Sequence, residues 1–332
     1  MIAVVLVVAA MNPVNIDHVR IDIQEIKRKV KEIVVISGKG GTGKTSIVAS
    51  FASLAQNAVL ADCDVDAADL HLVLDPHIKR SQDFYGGKKA YIDPEKCTGC
   101  GVCMEMCRFE AIIEDGKLKN QDSNIYKIDP IGCEGCGVCA YFCPVTAITM
   151  EPQKNGKLFI SEMRYGPMVH AKLGIAEENT GKLVALVREN AREIARKEGA
   201  DYIIVDGPPG VGCPVISSIT GADIILIVTE PTVSGLSDLK RVEKLARHFN
   251  IPATVCINKW DINPSISEKI CDYCDKHQIR VLGKIRYDNA FTKAQIMKAT
   301  IPEYTSGYLA DEIKSVWGRL QQQLIELPSA IQ

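Results

Sequence analysis

Ile33-Val34-Val35-Ile36-Ser37 runs directly into Gly38-Lys39-Gly40-Gly41-Thr42-Gly43-Lys44-Thr45, and this stretch decides the fold. The first five residues are a short β-branched run, the pattern of a buried strand. The next eight fit G-x-x-x-x-G-K-[ST], and Ser46 to Gln56 is compatible with a helix. Strand, glycine-rich loop and helix in that order form the context a phosphate-binding loop requires. Glycines let backbone N–H groups face phosphate oxygens, and the helix N-terminus adds positive potential. The candidate nucleotide cradle is therefore Gly38, Gly40, Gly41, Thr42, Gly43, Lys44, Thr45 and Ser46. Lys44 would reach the β- and γ-phosphates, and the Thr45 hydroxyl would ligate Mg²⁺.

Outward from this loop the strand signals repeat. Ala58 to Ala61 is a second candidate strand and ends at Asp62-Cys63-Asp64-Val65-Asp66. Tyr202 to Val205 is another, followed by Asp206-Gly207-Pro208-Pro209-Gly210. Ile224 to Val228 and Ala253 to Ile257 follow, the latter ending at Asn258-Lys259-Trp260-Asp261. Strands alternating with helical segments predict an α/β fold, a P-loop NTPase with a mainly parallel sheet flanked by helices. An N-K-x-D run reads guanine in many GTPases through its acid, here Asp261, so the motif alone leaves the base open between ATP and GTP.

Lys39, just after the first glycine, is a second lysine in the loop. With it the sequence resembles the deviant Walker A family of MinD, ParA, Mrp-type carriers and the nitrogenase iron protein. The resemblance implies that Lys39 reaches across an ATP-sandwich homodimer to the partner's nucleotide, and it favours ATP. It implies that the acidic run is switch I, with Asp64 positioning the attacking water or the metal's water shell. It implies that Asp206-Gly207-Pro208-Pro209-Gly210 is switch II, Asp206 holding the Mg²⁺ water shell and the Gly210 N–H sensing the γ-phosphate. Asn258 matches the strand-end residue that contacts adenine. Gly166-Pro167, Glu230-Pro231-Thr232 and Gly235-Leu236-Ser237-Asp238-Leu239 are also typical of the family.

The chain has 332 residues, 39 Lys plus Arg against 41 Asp plus Glu, and 13 cysteines. A net charge of −2 gives no bulk electrostatic reason to expect nucleic acid binding. An odd cysteine count excludes a complete disulfide framework, and a chain this long needs no staples to build a core. Spacing explains most of the cysteines. Cys97, Cys100, Cys103 and Cys107 form C-x₂-C-x₂-C-x₃-C, and Cys133, Cys136, Cys139 and Cys143 repeat it, followed by Pro144. This is the bacterial ferredoxin run, in which the fourth cysteine ligates the other cluster. Cys97, Cys100, Cys103 and Cys143 would hold one 4Fe–4S cluster, and Cys133, Cys136, Cys139 and Cys107 the other. Zinc is the competing reading, but this run does not resemble common zinc spacings. Gly99, Gly101, Gly135 and Gly137 allow the tight wrap.

The repeat extends beyond the cysteines. Ile92-Asp93-Pro94 recurs as Ile128-Asp129-Pro130, and Ala111-Ile112 as Ala147-Ile148. Glycine-containing hairpins are expected at Asp115-Gly116 and Asn155-Gly156. Residues 84–160 thus look like an inserted α+β dicluster ferredoxin-like domain. It interrupts a P-loop ATPase domain built from residues 30–83 and 161–332. The whole resembles MinD-superfamily ATPases with an inserted ferredoxin domain, over Val30 to about Tyr308. Of the remaining cysteines, Cys213 matches a position near which the nitrogenase iron protein has a ligand of its intersubunit cluster. It reads as a small buried residue near switch II or as such a ligand. Cys63 and Cys256 read as core, and Cys271 and Cys274 as structural in a helix.

Residues 1–29 read as a dispensable extension or as sequence upstream of the true start. Met1 to Met11 is apolar but too short to cross a bilayer, and no basic residue precedes it as in a signal peptide. Asp311 to Leu327 is mixed in charge, with Glu312 and Glu326, which argues against direct membrane binding. The expectation is a cytoplasmic Mg²⁺- and ATP-dependent ATPase with two 4Fe–4S clusters, slow without a partner. Its nucleotide-switched homodimer would gate electron transfer to a redox partner. The alternatives are a cluster or metallocofactor assembly carrier, and a MinD-like positioning switch with structural or sensing clusters.

Overall fold

The protein is described by a computed structural model over residues 30–120, 123–174 and 181–327. The N-terminal extension lies outside the described residues. Among those described, no helix is long and apolar enough to cross a membrane.

Strand β1 (Lys31–Ile36) is buried along all but its first residue, as its run of Ile and Val requires. It leads through the glycine loop into α1 (Lys44–Leu54) and then β2 (Ala58–Asp62), which is wholly buried. A five-residue helix, α2 (Leu70–Leu74), connects to β3 (His77–Ile92). The cysteine-bearing stretch follows as α3 (Val102–Met106), β4 (Ile112–Asn120), β5 (Ser123–Ile128) and α4 (Val138–Tyr141). The chain returns along β6 (Ile148–Met163) and turns into β7 (Gly166–Leu173). Strand–helix alternation then resumes with α5 (Lys182–Glu198), β8 (Tyr202–Asp206), α6 (Cys213–Ile219), β9 (Ile224–Thr229), α7 (Val233–His248) and β10 (Ala253–Asn258). The last elements are α8 (Pro264–Lys276), β11 (Arg280–Ile285), α9 (Ala290–Ile296), α10 (Ile301–Tyr304) and α11 (Tyr308–Glu326).

Nine strands make one sheet in the order β11-β10-β9-β1-β8-β2-β7-β6-β3. The first seven in that order run parallel, and β6 and β3 are antiparallel additions at one edge. Parallel strands covered on both faces must be apolar throughout, and two cores form accordingly. On one face α1, α2 and α11 pack Phe51, Leu70 and Trp317 over Ile33 and Ile204. On the other, α5, α7 and α8 pack Val187, Val242 and Ile270 over Val34 and Val205.

The antiparallel edge builds something different. Strand β6 pairs with β7 only from Gly156 to Met163, whereas its ladder with β3 continues from His77–Glu162 to Ile92–Ile148. Residues 85–92 and 148–154 therefore leave the sheet as a two-stranded ribbon about 25 Å long. The ribbon carries the cysteine module at its end. Positions 84 and 160 fall inside β3 and β6, so the insert joins the sheet by continuous strands and not by loops.

Two expected turns are strand interior. Gly156 pairs with Phe84 and Leu173 inside β6. Asn155 Oδ1 accepts the Gly86 and Gly87 N–H groups at 2.7 and 3.1 Å, where bulges in β3 shift the register. Asn-Gly serves a bulge here, which needs the same side-chain acceptor as a turn. Asp115-Gly116 likewise lies within β4, at a register break before Lys119.

Candidate functional site

The carboxyl ends of β1, β2 and β8 converge on the glycine loop. Gly43 adopts φ 87°, a left-handed value that suits glycine. A Cβ there would sit 2.3 Å from Asn258 Nδ2, so Gly43 is also required by close approach. Asn258, at the end of β10, donates to the Thr42 carbonyl at 2.7 Å and braces the loop from behind. Thr45 and Ser46 occupy the half-buried first turn of α1, while Gly40 and Gly41 are exposed at the loop's outer bend. The Gly38 carbonyl side of the loop follows Ser37, whose backbone oxygen accepts the Gly210 N–H at 2.9 Å. Gly210 thus links the segment after β8 to the loop directly.

Lys44 is buried and donates to Asp206 Oδ1 at 2.6 Å and to Asp64 Oδ2 at 3.2 Å. Burial works against its charge, but the carboxylates of Asp206 and Asp64 outweigh burial and raise its pKa. Asp64 is raised chiefly by burial, and Lys44 opposes the shift. Asp62 is pushed well above the usual carboxylate range by complete burial and by the neighbouring Asp206. Thr42 Oγ1, Asp62 Oδ2 and Asp206 Oδ2 are buried with no hydrogen-bond partner. Buried polar atoms without partners are costly, so three orphans around one lysine mark a place where a ligand's oxygens or a hydrated cation complete the bonding. No three His, Cys, Asp or Glu side chains among the described residues converge on one point as for a fully protein-ligated ion. Mg²⁺ needs no such group, because it keeps waters and shares substrate phosphates.

Lys39 lies outside this cluster. Its ammonium meets Glu230 Oε1 at 2.6 Å, Ser234 Oγ at 3.2 Å and Thr232 Oγ1 at 3.5 Å, all at the start of α7. Lys259 reaches the same carboxylate at 3.3 Å and the Gly41 carbonyl at 2.9 Å. Burial favours the neutral acid at Glu230, but the two lysines prevail and lower its pKa. Sequence reasoning gave Glu230 no role, because its lysine partners are 191 and 29 positions away and no local motif announces the contact. Asp261 is exposed and accepts the Tyr287 N–H at 2.8 Å, away from the loop.

The cysteine module shows its repeat in backbone bonds. Asp93 N–H donates to Ala147 O, and Asp129 N–H donates to Ala111 O, so each half closes on the other. Asp93 and Asp129 carbonyls accept from Cys97 and Cys133 N–H in the same way. Gly101 and Gly137 take φ of 78° and 77°, starting α3 and α4 identically. The halves bring the cysteines together in two quartets. Cys97, Cys100, Cys103 and Cys143 line one hollow, with Tyr126 and Ile148. Cys107, Cys133, Cys136 and Cys139 line the other, with Ile128 and Ala90. Ala147 N–H donates to Cys143 Sγ at 3.2 Å. Burial pushes the Cys103 thiol up to about 11.

Cys213 is exposed at the start of α6, which corrects the expectation of a buried residue: the Pro208–Gly212 loop leaves the helix start facing outward. Cys63, Cys256 and Cys274 are buried, and Cys271 is half-buried on α8. Burial raises Cys256 and Cys274 to about 12, which keeps both thiols protonated and inert.

Comparisons with known proteins accord with this geometry. The chain is 37% identical over 238 residues to an uncharacterized protein of Methanocaldococcus jannaschii, covering 70% of this chain and 80% of that one. An iron-sulfur cluster carrier protein of the same organism is 33% identical over 79 residues, 23% of this chain and 25% of its own. The septum site-determining protein MinD of Pyrococcus horikoshii, solved with Mg-ADP, superposes with a TM-score of 0.50 at 16% identity, over 90% of this chain and all of that one. That likeness is one of fold. The family model for the CobQ/CobB/MinD/ParA nucleotide binding domain matches residues 33–301, and the chain belongs to that family.

Proposed function

We propose that this protein is a Mg²⁺-dependent ATPase that carries two 4Fe–4S clusters and couples its nucleotide cycle to electron transfer with a partner protein. The observation that carries the reading is the sorting of eight cysteines into two quartets, each taking three from one repeat and the fourth from the other. That exchange is what a dicluster ferredoxin run requires. The C-x₂-C-x₂-C-x₃-C spacing does not resemble common zinc spacings, which favours a cluster over zinc. When bound, such clusters would take up and release single electrons.

In the nucleotide site, the loop N–H groups and Lys44 would hold the β- and γ-phosphates, and Thr45 with Asp206 would hold Mg²⁺ and its waters. On nucleotide entry Lys44 turns from the carboxylates to the phosphates. Asp64 is then released to orient the attacking water. Lys39 leaves Glu230 to meet the nucleotide of a second copy in an ATP-dependent homodimer. The partly similar iron-sulfur carrier supports a second reading, in which clusters are delivered to a client.

Only α2 lies between the Asp62–Asp66 segment and β3, the strand that becomes the ribbon. A displacement of that segment therefore acts at the root of a stiff two-stranded lever. The test is ATPase turnover and cluster oxidation measured anaerobically on the intact protein. Expected are two clusters per chain by iron and sulfide content, and a cluster oxidation rate that changes with ATP. Clusters lost to a chelator or to a recipient protein during turnover would select the carrier reading. Zinc in place of iron would overturn both.

A further inference from the structure

Beside the Asp62–Asp66 segment lies a cavity of about 510 Å³, separate from the glycine loop and from both cysteine hollows. Its origin is the brevity of α2. On one face the 17-residue α5 covers β2 and β7, while on the other the connection offers only five helical residues. The face of β6 and β7 beyond α2 is left open, at the carboxyl end of β7 where open α/β sheets bind ligands. Side-chain alternation places Phe159 and His170, cross-strand partners, on this face.

The lining has a definite chemistry. Phe159 and His170 rings lie 5.1 Å apart and 27° from parallel, and the His71 ring of α2 lies 6.3 Å from His170 at 9°. The three rings form one stack, with His170 buried in the middle. His170 Nε2 is tied to Ser161 Oγ at 2.8 Å, which fixes the ring plane. Burial holds His170 down to about 4, so its ring is uncharged at neutral pH. Lys172 and Asp66 stand exposed at the rim, and neither side chain has a hydrogen bond or ion pair among the described residues. Val65, buried, connects the lining to the same segment that holds Asp64.

We propose that this cavity binds a small planar aromatic molecule carrying one anionic group, its face packed on the ring edges of the Phe159–His170–His71 stack with the anion on Lys172. Ring edges pack on a flat π face. A single ammonium on a strand selects one anion. Asp66 opposite repels a second anion and accepts from a ring N–H or hydroxyl. The volume is that of a small-molecule site. Because Val65 and Asp66 line the cavity, its ligand and the nucleotide affect each other's affinity by the same factor. Two sources share this chemistry, a nucleoside monophosphate and a heteroaromatic carboxylate.

The test uses the intact protein with its loop saturated by Mg-ADP, titrated with AMP and with indole-3-carboxylate by saturation-transfer NMR. At least one probe is expected to bind with sub-millimolar Kd. Binding of AMP alone identifies the phosphate source, and binding of indole-3-carboxylate alone the organic acid. Lys172→Glu, an exposed change, and Phe159→Ala are each expected to weaken binding about tenfold or more. Lys172→Glu should leave Mg-ADP affinity unchanged without probe, and saturating probe should shift that affinity in the wild type. The proposal is overturned if neither probe binds at millimolar concentration, or if Lys172→Glu binds both as well as the wild type. An Mg-ADP affinity that ignores bound probe would overturn the link to the nucleotide.

Discussion

The sheet platform and the cysteine module are held together by opposite means. The platform buries two large apolar cores around β1, β8 and β9, and its charged groups are mutually compensated, Lys44 between Asp64 and Asp206. Among the described residues, the module's core cluster holds seven buried residues, and two of these are Cys103 and Cys139. A unit that small cannot outweigh its chain entropy by apolar burial alone and needs a metal or covalent staple. The platform is therefore a fold that receives a ligand, and the module, in the proposed assignment, is one that a ligand completes.

The comparison breaks most visibly at Cys139. Cys139→Ser removes a buried core contact and one member of a quartet at once. Expected is the loss of about half the bound iron, since in the proposed assignment each quartet serves one cluster. Hydrogen exchange should show protection lost across 93–147 and retained in β1, β8 and β9. Loss of protection in both regions would show that the two stabilities are not separate.

Lys44→Ala attacks the platform instead. It removes the proposed phosphate ligand, so ATPase turnover should fall by about 10²–10³ in kcat or more. It also leaves buried carboxylates facing each other, which costs about 3–5 kcal/mol in broken buried pairs. Denaturant unfolding of β-sheet signal should register that cost. Iron content should not change.

Lys39→Ala sharpens the distinction within the platform. Its pair with Glu230 is partly exposed, so stability should move by less than about 1 kcal/mol. ATP-dependent dimerisation and turnover should fall about tenfold or more, while Mg-ADP binding to the monomer persists. Sedimentation with and without ATP separates these outcomes. An unchanged dimer would return Lys39 to a structural role on α7.

Much of this contrast was legible in the sequence, and the reason is locality. The loop from Gly38 to Thr45 and the cysteine runs are each set by contiguous spacing, and the repeat of Asp93 and Asp129 announces the cross-closure. Parallel strands read clearly because both faces are apolar. The ribbon did not, because residues 77–89 of β3 are largely exposed and carry no apolar alternation. Asn155-Gly156 was ambiguous because a bulge and a hairpin use the same residues. The Lys39–Glu230 contact and the cavity behind α2 depend on elements far apart in sequence, and no window contains them.

A pH-dependent effect lies where the two regions meet, at His170 on β7 beside the root of the ribbon. Its pKa is about 4 in the folded chain, against about 6.5 when unfolded. Burial is the main cause, with the nearby His71 adding to it. Between these values the unfolded chain binds the proton and the folded chain does not. Stability from this group is thus fully present above about pH 6.5 and is lost as pH falls towards 4. The slope is at most about 1.4 kcal/mol per pH unit. His170→Phe keeps a ring against Phe159 but removes the proton site. The variant should be less stable at pH 7, because Ser161 loses its partner, but its stability should vary less between pH 6.5 and 4. Asp62 acts with the opposite sign: its raised pKa makes the folded state lose stability as pH rises above the ordinary carboxylate range. Asp62→Asn should therefore stabilise the platform at neutral pH. Urea titrations across pH on the two variants separate a cost carried by the nucleotide site from one carried by the ribbon's root.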